Sequence, residues 1–147
     1  MPHDRKSLIL TLVIDRIGVV VWFVCLFFVP QLARWYDLYS RKDSIFIQFV
    51  VLVYLAMIPA IIILILLDRL LSNICAGKIF EHSNVTFLRI ISYCCFAISL
   101  ISAIMVIWRV LALVIFLAFA FIGLLLRVLK NVFEQAVVLR EENDLTV

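Results

Sequence analysis

The sequence predicts an all-α membrane protein, four transmembrane helices in a small bundle, and three observations predict it. Of the 147 residues, 67% are hydrophobic, against about 45–50% in soluble domains. Only 16% are charged, against about 25%. The apolar residues gather into long runs with almost no charge inside them. A water-soluble fold of this size has too little interior for so much apolar surface. A bilayer solvates the excess.

The chain divides into one domain, residues 1–147, with spans at about 8–33, 45–67, 88–108 and 110–130. In the first, Ile17 to Ala33 is apolar apart from Gln31 and contains Pro30, and Leu8 to Ile14 extends it upstream past Asp15-Arg16. This run outlasts the short apolar core of a signal peptide, so a retained span is expected. In the second, Ile45 to Leu67 carries no charge, ~35 Å of helix at about 1.5 Å per residue. Ile90 to Trp108 and Val110 to Leu126 are also charge-free and are parted only by Arg109. One helix over 90–126 would run ~55 Å, almost twice a hydrocarbon core of about 30 Å. Two spans with a tight turn at Trp108-Arg109 fit better. Pro59 is expected to kink span two.

Four spans put both termini on one side, and positive charge chooses it. Arg5, Lys6, Arg16, Arg69, Lys78, Arg89, Arg127, Lys130 and Arg140 fall on the side of the termini; Arg34, Arg41, Lys42 and Arg109 fall on the other. Cytoplasmic termini follow. Trp35, Tyr36, Tyr39 and Trp108 are expected to form an aromatic belt at the outer interface.

Within the membrane, carriers and pumps need ionisable groups, but the charge-free runs of spans two to four have none. Asp15-Arg16 lies near an end of span one, where a charged pair facing the bundle or a conduction path is one reading and an interfacial pair with Arg16 snorkelling is the simpler one. Ala56 and Ala60, and Ser99 and Ala103, stand four apart as small-residue faces for helix packing. Packing within one bundle is the first reading of these faces and self-association the second.

Cys25, Cys75, Cys94 and Cys95 make no CxxC or zinc spacing, and His3 and His82 make no HExxH pair. No metal or cofactor is expected. No nucleophile, base and orienting group recur at a recognisable spacing, so the chain does not read as an enzyme.

The connection 68–89 is expected in the cytoplasm. Leu67, Leu70, Leu71 and Ile74 carry helix two past the membrane to Gly77, a helix-stopping residue. Ser83 or Asn84 is expected to cap helix three. The match NVT is not an acceptor for glycans on this side. In the tail, 131–147, Leu129, Val132, Phe133 and Ala136 lie at helical spacing, and Lys130 and Glu134 stand at i, i+4. Span four should therefore continue as an amphipathic helix to about Glu142. Arg127 and Lys130 come first, beside anionic lipid, and Glu134, Glu141, Glu142 and Asp144 lie farther out. Leu145 and Val147 follow the acids, either to tuck against the 68–89 loop or to meet a partner.

GKIFEHSNVTFLRIISY (77–93) and FEQAVVLREENDLTV (133–147) together resemble the paired signatures of a bacterial family of small four-helix membrane proteins. This is the domain-of-unknown-function family numbered 2975, with YoaS-like members. The loop matches at Gly77, Phe80, Asn84, Leu88 and Arg89; it departs at Glu81, where members typically carry Thr or Ser, and Ser83 is the expected substitute cap. The resemblance implies four spans and cytoplasmic termini, and no established activity. Members are often encoded beside a very small helix-turn-helix protein, which implies a membrane protein that holds or releases a regulator.

The function expected from these readings is a docking module with no direct binding to nucleic acid. Its residues are Gly77, Phe80, Asn84 and Arg89 in the loop and Glu134, Arg140, Glu141, Glu142, Asn143 and Asp144 in the tail. Asn84 and Arg89 are expected to hydrogen-bond and ion-pair with tail acids. The alternatives are a small oligomeric transporter or channel, which solute flux in proteoliposomes would reveal, and a toxin-immunity protein, whose protection would depend on loop 34–44.

Overall fold

The computed structural model describes residues 2–39 and 46–146, with the side chains of 6–38 and 46–146. Four helices account for nearly all of it: α1 (Pro2–Tyr39), α2 (Phe46–Cys75), α3 (His82–Val106) and α4 (Ala112–Leu145), and no strand occurs among the described residues. All four are long and apolar enough to cross a membrane. Arg5, Arg41, Lys42 and the Tyr39 side chain, invoked above for charge bias and the aromatic belt, lie outside the described side chains.

The helices pack in chain order: α1 against α2, α2 against α3, α3 against α4. No Cα of α1 comes within 8 Å of one in α4 among the described residues, so the bundle is open along one side. The core is centred on α3, where Val85, Leu88, Ile91, Cys95 and Ile98 are at most 5% exposed. Arg16 meets Asp68 at 3.1 Å, joining the start of α1 to the end of α2. Arg89 meets Glu134 at 3.5 Å, joining the start of α3 to the far part of α4. The N-terminus, the α2–α3 connection and the C-terminus therefore share one end, the loop end. At the other, the turn end, Trp108 N–H donates to Met105 and Ala112 N–H to Arg109, a tight turn where the length argument put it. At 38 and 34 residues, α1 and α4 are ~57 and ~51 Å long, so both project beyond a core of about 30 Å.

Polar groups inside hydrocarbon must find partners in the protein, and three contacts show how. Pro30 has no N–H to give the Leu26 carbonyl one turn back. The Tyr54 hydroxyl of α2 donates to that carbonyl instead, at 3.0 Å. Close to Pro59, the Trp22 indole donates to the Met57 carbonyl at 3.2 Å. Ser99, 3% exposed, donates to the Phe116 carbonyl at 3.2 Å and stitches α3 to α4.

Asp15 and Arg16 part company. Asp15 points into the bundle at 6% exposure, its Oδ2 without a partner, while Arg16 turns outward to Asp68. An interfacial pair thus describes Arg16 and not Asp15, because adjacent helical residues project about 100° apart. Of the small residues, Ser99 is buried and Ala103 half-buried. Ala56 and Ala60 are half-buried and line an apolar cavity. Gly123 also sits at a close approach, where an added Cβ would lie 3.2 Å from the Phe96 ring.

Candidate functional site

The loop end holds the residues singled out from sequence, and it is built by a helix stop, a buried amide and a set of cross-helix contacts. Gly77 takes φ +78°, a conformation costly for residues with a Cβ. Its N–H donates to Ile74, and the Lys78 N–H donates to Asn73 at 2.9 Å. These two bonds satisfy the last carbonyls of α2 in a Schellman arrangement.

Asn84, fully buried, locks the connection that follows. Its side-chain amide nitrogen donates to the carbonyls of Lys78 (2.7 Å) and Ile79 (2.8 Å), and its oxygen accepts from Asn73 at 2.8 Å. It neither caps α3 nor reaches the tail. The N-cap position belongs to Glu81, in extended conformation and making no side-chain capping bond. Ser83 donates to the Glu81 carboxylate at 3.2 Å rather than capping the helix. A long carboxylate leaves undone what a short Thr or Ser hydroxyl does at this position.

The tail is clasped to α3 along one helical face. Glu134 bridges Lys130 (2.7 Å) and Arg89 (3.5 Å). Two turns farther on, Glu141 meets His82 at 2.8 Å. Phe80 and Phe133 rings sit 6.4 Å apart between centroids, within contact range for aromatic pairs. Val137, 2% exposed, fills the inner face between Glu134 and Glu141. These charges are part-exposed, where single ion pairs contribute roughly 0–1 kcal/mol. The hydrogen bond from Lys130 holds the Glu134 carboxyl below its ordinary range, and the charges of Lys130, Arg89 and His82 add to this.

The chain matches the model of the family described as "Protein of unknown function (DUF2975)" over residues 28–147. The chain belongs to the DUF2975 family. It is also 30% identical to the uncharacterized membrane protein YoaS of Bacillus subtilis (strain 168), over 99% of each chain. No solved structure matches it. This DUF2975 chain is thus a membrane protein, with four candidate spans.

In the DUF2975 loop and tail, the structure brings together Phe80, Arg89, Glu134 and Glu141, and keeps Gly77 and Asn84 for the loop's own geometry. Arg89 reaches a tail acid as expected; Asn84 does not. Arg140 pairs along its own helix with Asp144 at 4.0 Å, and Glu142 and Asn143 are exposed. Leu145 is 87% exposed, so it does not tuck against the loop, and Val147 lies outside the described residues. The inner face is also rotated from the expected one: Leu129 and Val132 point outward while Lys130, Phe133 and Val137 point in. Sequence reasoning missed Asn73, His82 and Val137. No spacing links His82 to Glu141, since they meet only through the fold. Among the described residues no three His, Cys, Asp or Glu side chains are grouped to hold a metal ion.

Proposed function

We propose that this protein is a non-enzymatic anchor in the bacterial plasma membrane, with its loop end in the cytoplasm, that docks a small basic regulator of helix-turn-helix type. One observation carries the reading. The clasp turns Val137 inward between Glu134 and Glu141, and so leaves exposed a face of α4 on which Val138 (45% exposed) and Leu139 (65%) stand among the exposed Gln135 and Glu142. Glu134, Gln135, Val138, Leu139 and Glu142 outline a shallow hollow of ≈ 380 Å³. This face lies beyond the ~20 residues of α4 that a bilayer can cover. Apolar side chains set among acids, with no lipid to cover them, suit a partner surface that is apolar and basic. DNA-binding domains carry basic surfaces. An acidic face competes with DNA phosphates for such a surface, so docking and DNA binding would exclude each other.

The test is membrane retention of a small basic helix-turn-helix protein of the kind that the family resemblance implies. Intact protein should hold it in the membrane fraction. A chain ending after Gln135, or the double variant Leu139→Ser with Glu142→Lys, should release it to the soluble fraction. Equal retention by all three would overturn the reading. Thiol labelling of Cys75 only after the inner face is opened is the expected topology; labelling from outside intact cells would refute the cytoplasmic assignment.

A further inference from the structure

The open side of the bundle carries a second site, at the opposite end from the clasp. Two apolar cavities, of ≈ 440 and ≈ 340 Å³, open between α1 and α4 over a floor supplied by α2 and α3, and share Met105 and Ile115 in their walls. Both volumes fall within the ~300–1,000 Å³ of ligand sites. The walls run from the level of Gly18 to that of Tyr36 on α1, ~27 Å along the helix, which is longer than one leaflet's half of the hydrocarbon core, ~15 Å. They are apolar almost throughout, and the exception is decisive. Arg109, in the α3–α4 turn, lines the cavity at the turn end. Its Nε and Nη2 are shut off from solvent and hydrogen-bond to nothing among the described residues. Its guanidinium carbon lies 5.2 Å from the Tyr36 ring centre.

We propose that this cleft holds one acyl chain of an anionic phospholipid, with the lipid phosphate on Arg109. Arg109 is half-buried, and two donors shut off from solvent with no partner among the described residues are costly without an anion. Its planar fork matches phosphate oxygens in a paired geometry. The cleft is unlined by α1–α4 contacts, so a lipid enters sideways from the leaflet at the turn end. A zwitterionic lipid offers the same phosphate with a neutralising amine; the net-anionic headgroup is the better match for a guanidinium with two donors unused among the described residues.

Native mass spectrometry of the protein released from nanodiscs made of equal parts phosphatidylglycerol and phosphatidylcholine tests this. The expected result is retained phosphatidylglycerol in preference to phosphatidylcholine by about tenfold, the scale of one charge-assisted hydrogen-bond pair. Arg109→Gln should abolish the preference. Ile115→Trp, which fills the cleft and keeps the charge, should lower retention of both lipids. Arg127→Gln, at the other end of α4, should leave the preference intact. Equal retention of the two lipids by the wild type overturns the proposal, as does a preference unchanged in Arg109→Gln. A lipid-free dimer whose interface crosslinks through Cys25 would overturn it in favour of a second copy in the cleft. Oleate retained from a mixture with no phosphatidylglycerol beside it would overturn it in favour of a free fatty acid.

Discussion

Replacing Asn84 with Ala is the sharpest perturbation of the loop end. The side chain is fully buried and makes three hydrogen bonds, to Asn73 and to the carbonyls of Lys78 and Ile79. Each is worth about 0.5–1.5 kcal/mol net, so their sum is about 3 kcal/mol. The Asn73 amide loses its acceptor as well, which adds to the cost rather than offsetting it. At about 2–4 °C per kcal/mol for a chain of this size, the midpoint should fall by roughly 6–12 °C. A thiol-reactive fluorophore reads it directly, because Cys95 is 2% exposed and Cys94 9%, and both react only when α3 comes away. Cys25→Ser and Cys75→Ser remove the more accessible thiols from the signal. Asn143→Ala, exposed and without such bonds, is the control and should stay within about 0.5 kcal/mol of wild type. If Asn84→Ala melts together with Asn143→Ala, the amide is not what holds the loop.

Three further outcomes are expected. Glu81→Thr supplies the N-cap hydroxyl that α3 lacks and should raise stability by about 0.5–1 kcal/mol in the same thermal assay; a drop would mean the contacts of Glu81 with Lys78 and Ser83 outweigh the cap. Tyr54→Phe orphans the Leu26 carbonyl and should cost about 1–2 kcal/mol, but much less in a Pro30→Ala background, where residue 30 regains its N–H; equal costs in both backgrounds would break the link between the proline and the hydroxyl. The folded Glu134 carboxyl titrates below its ordinary range, so its contribution is full at neutral pH and is lost as pH falls through the folded value. The stability gap between wild type and Glu134→Gln should therefore be present at neutral pH, narrow as pH falls through the ordinary carboxyl range and close below the lowered folded value, and a gap that persists in strong acid would refute the ion-pair account.

The legible parts of the site were those with a local cause. Gly77 ends α2 because a left-handed residue closes the Schellman bonds, and the sequence offers a glycine just after an apolar helical stripe. Lys130 and Glu134 meet because one helical turn separates them. Arg89 and Glu134 meet because both follow from four antiparallel spans. Asn84 was legible as important and misassigned in role: an Asn in a first turn suggests a cap, whereas here the Schellman turn delivers two carbonyls to it first. The inward face of α4 was displaced by about one residue for a related reason. Leu129 and Val132 are as well placed against lipid as against protein, so their spacing does not say which side is inside.

Composition and run length determined by themselves that the chain has four membrane-length apolar runs and that the last two part around Trp108-Arg109, though not which residues make the turn, because those facts depend only on hydrocarbon thickness and the rise of a helix. Only the tertiary structure decided that α3 is the central helix, that α1 and α4 leave a cleft between them, that Asp15 faces in while Arg16 faces Asp68, and that His82 finds Glu141. In water, burial and hydrophobicity coincide, and a sequence marks its own interior. In a bilayer both sides of a helix are apolar, and the interior is marked only where polar groups find one another.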